Sequence, residues 1–263
     1  MLLLRYLILV IICFNIPQIH ASTFYGILVG DTQDSELKKM VRKDLALMSK
    51  HLEKISSAIS NVEEFKLLTY TRKDLNSTFL KKIEHLEIQP SDIVFFYYSG
   101  HGFYMSQQYN EFCASNSLYL YFDKSDVGVP FNEILSIFMM KQPRLTICLI
   151  DCCNDPVKKD EIPLKLISRA RSSKSSKFRP HPDAIRNLFE KNNGLILGFS
   201  AAPGYCAEGT DEEGSDFTRS YVHYFEKIAS TPSEVCWENI LAKTCSKHFK
   251  KQHPYYEILL KSD

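Results

Sequence analysis

Apolar residues along this chain gather into five short, nearly unbroken runs, at 24–29, 65–70, 93–98, 145–150 and 195–199. Each is rich in β-branched or aromatic side chains, the pattern of strands covered on both faces. Between them the period changes. Leu37, Val41, Leu45, Met48, Leu52 and Ile55 recur at helical spacing, and so do Phe131, Ile134, Leu135 and Phe138. Strands alternating with helices predict one three-layer α/β/α domain with a mostly parallel central sheet, spanning residues 22–263. In such sheets the reactive groups collect where loops leave the carboxyl ends of the strands.

The first 21 residues differ from the rest. Arg5 precedes an apolar stretch, and Pro17 and Ala21 follow it. This is the layout of a signal peptide, short for a membrane span of about 20 apolar residues, with an uncleaved N-terminal anchor as the alternative. The expectation is a secreted, extracellular or periplasmic protein with no stable membrane association once the segment is removed. Residues 165–179 are rich in Ser and Lys/Arg and contain no acid, with Pro180 and Pro182 following. This predicts a flexible basic loop over 165–182, inserted between two strands. The tail over 231–263 reads as helical, with Trp237, Ile240 and Leu241 as its packing face.

Composition narrows the function. The 263 residues are 44% hydrophobic and 24% charged, enough for a packed core. Lys+Arg 32 against Asp+Glu 31 leaves a net charge of +1, so no broad basic field argues for nucleic acid. Setting aside Cys13, the eight cysteines leave Cys113, Cys148, Cys152, Cys153, Cys206, Cys236 and Cys245. An odd number leaves at least one free thiol, and Cys236 with Cys245 is the least implausible pair. None has zinc-ligand spacing.

Three strand ends carry chemistry: Ser99-Gly-His101-Gly102, Asp151-Cys-Cys153-Asn154 and Ser200-Ala-Ala-Pro-Gly204. A histidine between glycines is often a turn residue, and a cysteine after a buried strand is often packing. Together they fit nucleophilic catalysis, in which an imidazole takes the thiol proton and later returns it to the leaving group. The backbone N–H groups of Gly102 and Cys153 are then placed to bind an oxyanion.

Tyr97-Tyr-Ser-Gly-His-Gly102, followed 52 residues after the histidine by Cys153, resembles the caspase/metacaspase family of cysteine peptidases. Ser200-Ala201 and Gly214-Ser-Asp-Phe-Thr218 resemble that family's third characteristic region. The resemblance implies a caspase-like fold, His101 as general base, Cys153 as nucleophile and protein or peptide substrates. Metacaspases commonly read Asp-Ser-Cys-His-Ser-Gly, so Cys152 and Asn154 depart from the pattern. Cys152 is the rival nucleophile, and a vicinal disulfide is the other alternative.

The resemblance further implies a substrate pocket with Asp44, Asp151 and Ser200, and cleavage after Arg or Lys. The helical pattern agrees independently: Asp44 falls in the middle of the apolar face of 37–55, where an unpaired carboxylate is costly. It should face a polar cavity or a cation, the alternative being a buried carboxylate satisfied by backbone N–H groups. In this family the segment after the nucleophile is cut by the enzyme itself, making Arg169, Arg171 and Lys174 self-cleavage candidates, with Lys177 nearby; the alternative is a basic patch that touches an anionic surface. Metacaspases often need calcium. Asp123 and Asp126 fit, but Asn132 replaces an acid and Asp155 stands alone, so no metal or other cofactor is assigned. The contrasting readings are an inactive binding module on the same fold and a peptidase of the same clan directed to Asp or Asn.

Overall fold

The computed structural model describes residues 22–32, 34–71, 74–76, 78–105, 118–121, 128–157, 179–246 and 252–261. All five apolar runs are strands: β1 (Thr23–Gly30), β2 (Glu64–Thr71), β3 (Ile93–Gly100), β7 (Leu145–Cys152) and β9 (Gly194–Phe199). With β12 (Tyr255–Leu260) they form one sheet in the order β12-β9-β7-β3-β1-β2. The first five are mutually parallel, and β12 runs antiparallel along β9. Residues of β1, β3 and β7 are buried throughout, as continuous apolar runs require.

Side-chain alternation sorts the core into two layers. Phe24, Leu28, Phe95, Tyr97, Ile147 and Ile196 face α1 (Lys38–Ser56), α4 (Pro182–Ile185) with the turn Arg186–Glu190 after it, α5 (Asp216–Ile228) and α6 (Trp237–Ser246). Ile27, Val29, Phe96, Tyr98, Ile150 and Leu197 face α2 (Phe79–Glu84) and α3 (Phe131–Lys141). The first layer is pinned by Trp237, buried against Phe189 and Phe225, whose Nε1–H donates to the Leu188 carbonyl at 2.9 Å. Removing that side chain would cost about 3–5 kcal/mol. A small second sheet, β4 (Gly102–Met105), β5 (Leu118–Leu120), β6 (Val129–Pro130) and β8 (Asp155–Val157), lies just beyond the ends of β3 and β7. The turn-like pair β10 (Gly209–Thr210) and β11 (Gly214–Ser215) follows β9.

Two expectations are corrected. The tail is not helical throughout: after α6 it returns as β12, with Tyr255 opposite and stacked on Phe199. A short apolar run can be helix or strand, and here the open edge of β9 decides. The second is the Cys236–Cys245 bridge. Cys148, Cys152, Cys153, Cys206, Cys236 and Cys245 are all free thiols. Cys236 immediately precedes α6 and Cys245 lies nine positions further on, about 13 Å of helical rise and roughly twice the reach of a disulfide. The vicinal Cys152–Cys153 disulfide is likewise not formed. The signal-like residues 1–21, the acids Asp123 and Asp126, and most of the basic loop, with Arg169, Arg171, Lys174 and Lys177, lie outside the described residues. Among the described residues, no helix is long and apolar enough to cross a membrane.

Candidate active site

The site grows from the register between β3 and β7. Gly100 is the Cα partner of Cys152, and Ser99 that of Asp151. His101 and Cys153, each one residue further, therefore leave neighbouring strand ends side by side. Gly102 packs so closely on the second motif that a Cβ would collide with the Cys152 thiol and the Cys153 carbonyl. Glycine there is a requirement of close approach.

His101 is held on both sides. The Tyr98 hydroxyl, fully buried, lies 2.6 Å from the His101 carbonyl and 2.9 Å from that of Tyr121, whose own N–H donates back to the His101 carbonyl. The ring Nε2 sits 3.4 Å from Oδ2 of Asp34. Asp34 stands at the entry to α1, where its Oδ1 accepts the N–H groups of Glu36 and Leu37, both at 2.8 Å. Burial alone would raise the Asp34 carboxyl, but those two donors and the His101 ring outweigh it and hold the group below the usual range. Asp34 is thus an anion with one oxygen engaged by the helix and the other turned to the imidazole. No sequence motif marked it.

The two adjacent cysteines differ sharply. Cys152 is 4% exposed, and burial, then the neighbouring Cys153 and Asp151, push its thiol well above the ordinary range. Cys153 is partly exposed beyond the end of β7. A thiolate needs solvation or a cation, and of the two thiols only Cys153 has access to solvent. The Ser200 hydroxyl, expected in the substrate pocket, instead clamps the Cys152 peptide, accepting its N–H at 3.0 Å and donating to its carbonyl at 2.9 Å. Ser200 is fully buried and positions the end of β7.

Asp44 and Asp151 do come together. Asp44 is 0% exposed, and its carboxylate accepts the Ser215 N–H at 2.7 Å and the Ser99 hydroxyl at 2.9 Å. Asp151 Oδ2 accepts the Ser215 hydroxyl, the Thr218 hydroxyl at 2.5 Å and the Thr218 N–H at 3.2 Å. Asp151 Oδ1 is buried and, among the described residues, meets no donor at hydrogen-bond geometry, the nearby Ser200 hydroxyl being turned to the Cys152 peptide. Burial raises both carboxyls, and the Asp151 charge raises Asp44 further. Gly214, at φ +89°, closes over Asp44 where a Cβ would collide with the carboxylate. Of the alternatives for Asp44, the backbone N–H is realised, and a second acid lies close by, with Ser215 bonded to both. Ser99 sat inside the histidine motif and Ser215 and Thr218 inside the third region, but nothing in the sequence tied them to these carboxylates. Among the described residues, no cluster of three His, Cys, Asp or Glu is arranged to hold a metal. Asp155 is engaged by the Cys206 thiol at 2.7 Å.

A family model described as the caspase domain matches residues 27–261, so the chain belongs to the caspase domain family. Among solved structures, the chain is similar to caspase-1 from Spodoptera frugiperda, with a TM-score of 0.52 and 15% sequence identity. That match covers 90% of this chain and 86% of the other, and it shows the fold. A search of curated proteins finds no match. The expected caspase-like α/β fold is what the structure adopts, and the family is one of peptidases.

Proposed function

We propose that this chain is a cysteine endopeptidase in which His101 and Cys153 form the catalytic pair. The observation that carries the reading is the β3–β7 register, which sets the two side by side with Gly102 against the Cys152–Cys153 backbone. In this mechanism Asp34 accepts the His101 Nε2–H, leaving Nδ1 as the basic nitrogen. That nitrogen takes the Cys153 proton. The thiolate attacks the scissile carbonyl, and the Gly102 and Cys153 N–H groups bind the oxyanion. The imidazolium protonates the leaving amine, and water, activated by the same ring, releases the acyl group.

The substrate residue before the scissile bond is Arg or Lys, seated between Asp44 and Asp151. Two buried acids, one with an oxygen lacking a donor, supply the counter-charge that a guanidinium or ammonium needs. Because Gly214 and Ser215 cover Asp44, entry requires the β10–β11 turn to move aside. An Asp substrate would meet like charge. The basic 165–179 loop, with Arg169, Arg171 and Lys174, is an intramolecular substrate of the same preference. The N-terminal 21 residues direct export.

A panel of fluorogenic peptides with Arg, Lys, Asp, Asn or Ala before the scissile bond tests the reading, run on purified reduced protein with and without calcium. Cleavage of Arg and Lys peptides that vanishes in Cys153→Ala supports it. Absence of cleavage and of labelling by thiol-directed peptide inhibitors would establish the binding-module alternative.

A further inference from the structure

Cys206 is not used by that mechanism, yet it lies against the nucleophile. Asn154 and Tyr205 form an antiparallel bridge: the Asn154 N–H donates to the Tyr205 carbonyl at 2.9 Å, and the Gly204 N–H donates to the Asn154 carbonyl at 2.7 Å. In antiparallel chains the next residues outward, Cys153 and Cys206, face one another. Directly opposed residues have Cα atoms about 4.5–5.5 Å apart, within the roughly 4.4–6.8 Å span of a disulfide. The Cys206 thiol is close enough to Cys153 for the two to interact electrostatically, and it donates to Oδ2 of Asp155 at 2.7 Å. Both thiols are partly exposed, whereas Cys148 and Cys152 are buried.

The geometry points to Cys153 and Cys206 as a peroxide-oxidisable pair, with Cys206 the resolving thiol that closes a reversible disulfide across the catalytic centre. The first step is attack of the Cys153 thiolate on a peroxide O–O bond. Sulfur is oxidised to sulfenic acid and the peroxide is reduced, leaving as hydroxide or alkoxide. In the second step Cys206 sulfur attacks the Cys153 sulfur, its proton passes through Asp155 to the departing hydroxide, and water leaves. The balance is two thiols and one peroxide to one disulfide, one water and one water or alcohol.

The order of steps follows from the surroundings. The contact with Cys153, burial and the Asp155 carboxylate all hold the Cys206 thiol above its ordinary range. Cys206 therefore keeps its proton in the reduced pair. Once Cys153 carries a sulfenic acid, Asp155 is already in place to take that proton. Capture at this stage protects the nucleophile from irreversible sulfinic acid. The loss of activity on closure rests on the catalytic reading of Cys153, but the bond does not.

The test treats the purified full chain, freed of reductant, with an equimolar amount of hydrogen peroxide. Remaining thiols are blocked with a maleimide, and unreduced tryptic peptides are mapped by fragmentation mass spectrometry. The expected result is a Cys153–Cys206 link, reversed by dithiothreitol and retained in Cys152→Ser. In Cys206→Ser and in Cys206→Ala, dimedone should trap about tenfold more sulfenic acid at Cys153 than in wild type, since nothing resolves it. A link from Cys153 to Cys152, equal dimedone labelling with and without Cys206, or a Cys153 that peroxide leaves unmodified would each overturn the inference. Mapping needs no turnover, so a linked but inactive protein refutes the peptidase reading alone, and an active protein without the link refutes this one alone.

Discussion

Oδ2 of Asp34 lies 3.4 Å from Nε2 of His101, with the other Asp34 oxygen fixed by two N–H groups at the start of α1. The carboxylate is anchored before it meets the ring, so it can fix both tautomer and orientation. Asp34→Ala should lower kcat by about a hundredfold with little change in KM, the usual consequence of misplacing a catalytic group. His101→Ala and Cys153→Ala should each abolish turnover to within background, and the double variant should be no worse, because residues acting as a unit are not additive. Steady-state kinetics on one Arg peptide check all four. An unchanged kcat in Asp34→Ala would reduce that contact to helix capping.

In the proposed substrate pocket the paired acids would tie specificity to stability. Burial, reinforced for Asp44 by the Asp151 charge, raises both carboxyls. A folded-state value raised above the unfolded one means the stability from this group is complete below about pH 4 and is lost as pH rises through the raised value. Asp44→Asn removes that ionisation. Thermal denaturation should show Asp44→Asn more stable than wild type at neutral pH, with the difference shrinking towards about pH 4.

The same substitution should cost basic substrates roughly 3–5 kcal/mol of transition-state binding, a hundredfold or more in kcat/KM, as when one partner of a buried ion pair is removed. Asp151→Asn should behave alike, and an Ala peptide, if cleaved, should lose far less. Equal losses on basic and neutral peptides would mean the acids hold the backbone rather than the substrate.

His51 makes the opposite contribution. It is 2% exposed on α1, edge-on to Tyr221 and Phe225, and burial, with the Lys54 charge, lowers its pKa to about 3. The unfolded chain accepts this proton near pH 6.5. Stability from His51 is thus fully present above that value and is lost as pH falls towards 3. His51→Phe should flatten the fall in Tm between about pH 6 and pH 4, and an unchanged slope would place the acid sensitivity elsewhere.

Self-processing has a direct readout. Intact mass spectrometry of wild type should show a larger N-terminal and a smaller C-terminal piece, with new ends after Arg169, Arg171 or Lys174, while Cys153→Ala stays whole. Tethering the loop gives it an effective concentration of about millimolar, so weak intrinsic affinity suffices. An active but uncut wild type would leave the loop as surface chain.

Local pattern alone determined the parallel sheet and singled out the two strand ends proposed to carry the chemistry. Buried strands such as 93–98 and 145–150 must be continuously apolar, and the residue types next to them, His101 and Cys153, are rare enough to signal chemistry. The placement of Asp44 on the apolar face of its helix was equally legible, because a lone carboxylate among Leu and Met contradicts the period around it. What the pattern left open is what depends on distant chain segments meeting. Asp34 reaches His101 across a separation of 67 residues, Ser215 and Thr218 reach Asp151 across 64 and 67, and Cys206 approaches Cys153 and Asp155 only because the chain after β9 returns antiparallel. The strand Tyr255–Leu260 is the same case: its state follows from an unfilled hydrogen-bonding edge on β9, and no spacing within those residues records that edge. Periodicity reports which face of an element is buried; tertiary structure decides which polar groups that burial brings into contact.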